Sequence, residues 1–436
     1  MPHVTPEVDW AAVHAEALGV LREYLRIDTT NPPGDEAKAA RFLGGLIEAE
    51  GIPVEYVEID PGREAVYARL AGDGSKRPFM LSNHLDVVPV EAAYWTKPPF
   101  EAVLENGRVY GRGAIDMKGF GVMQLMTLLT AKRLGLPLKR DLVFLGTPDE
   151  EAGSARGMGW LAEHRPDLLD VEYALNEGDS GRISGGRTVF SVAANEKFGC
   201  PLRLVSTGAG GHGSFIHTDN SMVRLARALV RLDEWERPLI FAPDTRAYVE
   251  RLAEARVLEG GSEEALAASI RARRGLTPMF INTLNVTMVN AGVKRNVLPS
   301  RSEAILDCRL LPGQQPEDWR RQVEAVVDDP GIAVEFVNDP QPLAMPRTEW
   351  DTELFRAIEG SVRAAFEDAV VAPTMTIGAT DNRFLRARGV VSYGFTPAVF
   401  SREENNGFHG NDEFISVDTF NAGCELTFEV VRRLCT

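Results

Sequence analysis

Residues 142–151, LVFLGTPDEE, carry an apolar run straight into three consecutive acids. The run is short enough for a buried strand, and Pro148 and the acids stop it at its carboxyl end. Two other stretches repeat the device. Phe79–Leu85 reads as a strand that delivers His84 and Asp86, and Tyr173–Asn176 reads as one that delivers Glu177 and Gly178. Between them, 116–134 has helical spacing, with Val122, Leu125, Met126 and Leu129 on one side. Upstream, Val13, Ala17, Val20, Leu21 and Tyr24 mark one face of a helix that ends before Thr30-Asn31-Pro32-Pro33. A second helix over 41–50 and strands near 53–59 and 65–70 follow. This alternation predicts an α/β layer, and the polar residues gather just past strand ends, where open α/β sheets bind ligands.

The pattern changes near Lys197. From Gly199 the chain reads as a strand with Leu202 and Leu204 alternating, a Gly-rich turn, a helix from 220 to 231 and a polar stretch. Strands at 282–289 and 302–311, a helix at 316–327 and a strand at 332–337 complete the block, before the Pro-rich 339–342. An α+β domain over 198–341 is therefore expected as an insert in a catalytic domain made of 1–197 and 342–436. The latter segment should resume the α/β layer with a helix, a turn at 376–381 and a final helix.

At 436 residues the chain is too long for one ordinary core. Its net charge of -16 argues against nucleic acid or an anionic membrane as a partner. It leaves room for an anionic small substrate, because bound cations reverse the local field. The opening MPHVTPEVDW lacks a basic segment followed by an apolar one, and no apolar run reaches membrane-spanning length. Four scattered cysteines, Cys200, Cys308, Cys424 and Cys435, fit a reducing cytoplasm and offer no sulfur metal site. Three read as small buried hydrophobes and Cys435 as a frayed tail residue.

The candidate chemistry is carboxylate and imidazole. His84-Leu85-Asp86 puts two polar side chains on one face, so His84 could bind a metal while Asp86 orients its ring, although such a pair also arises by chance. Asp116 stands alone among the glycines of GRGAIDMKG at a helix start, either as a ligand or as an N-cap. Asp149, Glu150 and Glu151 are either a solvated turn or three acids whose repulsion a cation relieves. Borderline cations favour this donor set, and a shared carboxylate neutralises two of them at once.

Taken together and in order, SNHLDVVP, GRGAIDMKG, TPDEEAG, NEGD and FHGNDE resemble the aminoacylase/carboxypeptidase family of two-zinc metallopeptidases, over about 20–430. The resemblance implies a mixed-sheet zinc-peptidase-like catalytic domain with an inserted ferredoxin-like lid and dimerisation domain. It implies His84 and Glu177 on one zinc, Glu151 and His409 on the other, Asp116 as the bridge, Glu150 as general base and Asp86 behind His84. Cobalt or manganese are possible substitutes. It also implies a cis peptide at Asp116-Met117, and a His212 that crosses a homodimer interface to stabilise the oxyanion. Asn296, Arg309 and, in the 378–383 loop, Arg383 match positions that grip the substrate carboxylate. Alternation supports Arg309 independently, since Ala304, Leu306, Cys308 and Leu310 form the opposite, apolar face.

Two departures stand out. NEGDSG replaces an NEGG-like form, and 240–278 is longer than simple members carry, so the pocket wall should be this chain's own. The 393–397 and 409–413 runs lean toward the aminoacylase and carboxypeptidase-S-like branches. The expected activity is hydrolysis of an amide beside a free carboxylate, N-acyl-amino acids first. A carboxypeptidase or dipeptidase is the alternative, and a non-catalytic binder of amino-acid conjugates is a third reading that predicts a missing ligand or base. None is missing.

Overall fold

The computed structural model describes residues 7–337 and 345–436. The first six residues and the Pro-rich 339–342 lie outside the described residues, and with them the expected boundary at 341/342.

The apolar runs become central strands. Phe79–His84 and Leu142–Thr147 are buried along their whole length, as strands covered on both faces must be. Alternate residues feed two cores. Phe79, Leu81, Leu142 and Phe144 face the core built with helices Trp10–Leu25, Lys118–Arg133 and Val417–Cys435, while Met80, Val143 and Leu145 face Met158, Leu161 and Leu385 on the other side. Truncating Phe144 to Ala would cost about 3–5 kcal/mol.

These strands belong to a nine-stranded mixed sheet. Its order is Val54–Asp60, Arg63–Leu70, Leu142–Thr147, Phe79–His84, Tyr173–Asn176, Val391–Gly394, Arg187–Glu196 and Val370–Thr376, with Gly181–Ser184 pairing beside Arg187–Glu196. Phe79–His84 runs parallel to both its neighbours, and Val391–Gly394 runs parallel to Tyr173–Asn176. Four carboxyl ends therefore open on one edge of the sheet.

A second sheet of five strands is antiparallel throughout, with Arg301–Leu310 and Leu202–Thr207 at its centre. Ser302, Ala304, Leu306, Cys308 and Leu310 are buried in alternation, and the helices Ser221–Glu234 and Pro316–Val327 cover that face with Leu225, Leu232, Trp319 and Val323. Thr283–Ala291 lies at an edge, with Val286, Met288 and Val289 exposed.

Two expectations need correction. The polar stretch after Arg231 contains two helices, Pro243–Glu254 and Glu263–Arg271. Their narrow apolar stripe (Tyr248, Val249, Leu252) packs with Val189 and Ala372 of the large sheet, and the charged remainder hides the period. Cys435 is not frayed but fully buried, because the last helix packs to its end in the main core. All four cysteines are buried and unpaired. Among the described residues no helix is long and apolar enough to cross a membrane.

Candidate metal centre

The four strand ends bring together side chains far apart in sequence. His84 ends its strand in register with Thr147, and three residues on, the 3-10 turn Glu150–Ala152 presents Glu150 and Glu151. Asp149 makes the turn with φ +71°, a left-handed conformation that Asp tolerates better than most residues. Glu177 follows Asn176 directly. Asp116 precedes helix Lys118–Arg133 but does not cap it, since the N-cap is Met117 and no side chain caps there. The Asp116–Met117 peptide is cis, as the resemblance implies.

Asp116 occupies the middle. Its Oδ1 lies 3.0 Å from His84 Nε2 and its Oδ2 lies 2.8 Å from His409 Nε2. Glu177 Oε2 is 3.8 Å from His84 Nε2, and Glu151 Oε1 is 3.4 Å from His409 Nε2. Two clusters result, His84–Asp116–Glu177 and Asp116–Glu151–His409, each with ligand atoms within 4.8 Å of one another. They share one carboxylate, one oxygen facing each imidazole.

The donor set fits a pair of cations. The described residues lining the surrounding cavity, about 400 Å³, include Asp116, Glu150, Glu151, Glu177, Asp179 and His409 but no lysine or arginine. Glu151 Oε1 is buried without a hydrogen-bond partner. Desolvated acids this close cannot all ionise without a counter-charge. Protons take that role in the metal-free chain. Burial, reinforced by the charges of Asp116 and Glu151, raises Glu177 to about 7, and burial together with the Glu177 charge holds Glu150 well above the ordinary range. Burial alone would lower His84, but the Glu177 charge and the Asp116 bond raise it well above its usual value; the Asp116 bond and the adjacent Glu151 carboxylate raise His409 to about 10. Burial works against the ionised form of Asp116, yet the bonds from His409 and His84 hold it below the usual carboxylate range. Metal binding would displace these imidazole protons.

Behind the cavity, Asp86 is fully buried and its backbone carbonyl lies 3.0 Å from His84 Nδ1. Its carboxylate accepts from the backbone N–H of Glu150 and of Glu151, both at 3.1 Å, so Asp86 holds the imidazole through its backbone and the acidic turn through its side chain. Five residues with no role assigned from the sequence, Arg63, Glu36, Asn31, Glu413 and Arg112, complete the frame. Arg63 donates to Asp149 Oδ1 at 2.8 Å, to Glu36 at 3.0 Å and to Asn31 at 2.9 Å. Asn31 in turn donates to Asp86 at 2.8 Å. Asp149 is therefore not the third crowded acid; an arginine already neutralises it. Glu413 accepts from the backbone N–H of Gly113, Ile115 and Asp116 and pairs with Arg112 at 2.6 Å, clamping the Asp116 loop to the segment bearing His409. The second acid of FHGNDE was the available signal.

The remaining candidates lie elsewhere. His212 is exposed in a short ladder with Val297, and Gly213 N donates to Asn296 O at 2.9 Å, so His212 and Asn296 are neighbours. Arg309 points off the apolar face and pairs with Asp307 at 2.8 Å. Arg383 donates to Gly153 O at 2.9 Å and lies over the Phe384 ring. None of the four is among the described residues lining the cavity.

The family model described as peptidase family M20/M25/M40 matches residues 80–433. The chain belongs to this family. Like other members of the M20/M25/M40 peptidases, it is a metal-binding hydrolase. It is 30% identical over 387 residues to an N-fatty-acyl-amino acid synthase/hydrolase of Danio rerio, covering 84% of this chain and 74% of the relative. It is 27% identical over 428 residues to aminoacylase-1 of Sus scrofa, covering 96% and 95%. Its fold matches an M20 metallo-carboxypeptidase of Sulfolobus solfataricus with a TM-score of 0.70 at 20% identity, covering 96% of this chain and 99% of the other. Human carnosine dipeptidase 1 matches with a TM-score of 0.65 at 17% identity, covering 98% and 99%.

Proposed function

We propose that the chain is a two-zinc hydrolase that cleaves the amide of N-acyl-amino acids. The observation that carries this reading is the Asp116 carboxylate, offered by one oxygen to each of two His–Glu pairs beside the half-buried Glu150. The relatives named for N-acyl-amino acid and aminoacylase activity support the substrate class.

His84 and Glu177 would hold one ion, Glu151 and His409 the other, and Asp116 both. Once bound, such ions polarise a carbonyl and lower the pKa of water toward neutrality. The chain's own residues do the rest. Glu150 takes a proton from the attacking water and returns it to the leaving nitrogen, a double task suited to a carboxyl held out of solvent. Asp86 keeps the His84 ring and the Glu150–Glu151 turn in place from behind.

His212, reaching in from a second copy of the chain, stabilises the oxyanion that develops on the acyl carbonyl, while Asn296 and Arg309 grip the substrate carboxylate, with Arg383 in a subsidiary place. The exposed Val286, Met288 and Val289 on the edge strand, with Met222 and Val223 exposed on the adjoining helix, suit a two-fold pairing of insert domains 198–341. Four unpaired cysteines fit a cytoplasmic setting.

A panel of N-acyl-amino acids and dipeptides, assayed at zinc saturation, tests the reading. Turnover of the acylated amino acids is expected; turnover of dipeptides with acylated amino acids untouched would replace it with a peptidase.

A further inference from the structure

The two departures from the family pattern meet at one cavity. Beside the metal pocket lies a chamber of about 520 Å³ that shares Asp179, Ser180 and Asn405 with that pocket's wall. Asp179 and Ser180 belong to the variant NEGDSG run. Much of the chamber's remaining wall comes from the long 240–278 stretch, through Tyr248 and Leu252 on helix Pro243–Glu254 and then Val257 and Leu258. Strand Val370–Thr376 and the two residues after it join the two spaces: Thr376 and Gly378 line the metal pocket, while Met375 and Ile377 line the chamber. Ile377 is 50% exposed, a large aliphatic side chain left uncovered beside an active-site loop.

We propose that this chamber seats the acyl arm of the substrate and selects an extended apolar acyl group over acetyl. The inference rests on the N-acyl-amino acid reading above. Charge decides which end of the substrate enters. The Asp179 carboxylate stands on the shared rim and repels the substrate's own carboxylate, which is attached close to the scissile nitrogen. The arm that turns toward Asp179 is therefore the uncharged acyl one. Aliphatic walls then favour length, because each methylene removed from water adds to binding. The chamber's two cations do not dictate an acidic arm: the half-buried Arg182 guanidinium is turned onto Tyr248 Oη at 2.6 Å and Ser191 Oγ at 3.1 Å, and the exposed Arg273 donates to Ser269 O at 3.1 Å.

The test is kcat/KM for acetyl, octanoyl and glutaryl derivatives of one amino acid, measured on the zinc-loaded enzyme and on two wall variants. Ile377→Glu changes a half-exposed position and should fold; Leu258→Trp fills the chamber from another part of its wall. The unmodified enzyme should favour octanoyl over acetyl by about tenfold or more, and each variant should reduce that ratio by about tenfold. A preference for acetyl or glutaryl, or an octanoyl ratio that survives in the folded variants, overturns the assignment. If acetyl derivatives are hydrolysed and octanoyl ones are not, the acyl-arm assignment alone fails. If only dipeptides are cleaved, the underlying reading of the site fails with it.

Discussion

Two regions of this molecule carry candidate chemistry, and they differ in how far folding completes them. At the carboxyl edge of the large sheet, His84, Asp116, Glu151, Glu177 and His409 come within a few ångströms of one another, and buried partners fix their backbones. On the small sheet and its short ladder, His212 and Asn296 lie side by side yet face solvent, and Arg309 is occupied by Asp307. The first region is assembled by one chain. On the proposed reading, the second presents groups that act only once a second copy supplies the facing surface. A metal site has to be built before its ion binds, because like charges must be held together against repulsion. A substrate clamp gains from being brought in last, when closure excludes water.

That contrast can be broken in three places. The largest effect belongs to the assembled region. Glu150→Gln should keep its bound metal and lose about 10²–10⁴ in kcat, and a rate within a few-fold of the unmodified enzyme would remove Glu150 as the base. Next comes the incomplete region. His212→Ala should lose about 10²–10³ in kcat. Mixing it with Glu150→Gln subunits should restore part of the activity, since one of the two mixed sites then has both groups. No recovery from a mixed dimer, or a monomer by sedimentation, would place His212 outside a shared site. The smallest effect concerns the support behind the ligands. Asp86→Ala should weaken metal affinity by about 10–100-fold with the fold intact, as read by metal titration and circular dichroism. Unchanged affinity would reduce Asp86 to a packing residue.

The parts of this arrangement legible in the sequence are those where local pattern and chemistry coincide. Apolar runs that end in His84, Glu150 and Glu177 announce both a strand and a site, because a strand's carboxyl end is where a parallel sheet gathers function. The supporting network was not legible. Arg63 meets Asp149 across 86 residues, and Glu413 meets the Asp116 backbone across 297, so nothing local marks either as a partner. Asn31 read as part of a turn, although it bonds Asp86 from beyond two prolines. Helices 243–254 and 263–271 escaped for a different reason. They lie against a sheet edge and need only a narrow apolar stripe, which a surplus of charge conceals.

The central claim is that one carboxylate, Asp116, joins two metal sites. The most direct measurement is the metal-to-protein ratio of zinc-loaded, exhaustively dialysed protein, compared between the unmodified chain and Asp116→Ala. The account predicts about two zinc ions per chain, as a two-metal site requires, and loss of both when the shared ligand is removed. One ion per chain in the unmodified protein, or two retained without Asp116, would contradict it.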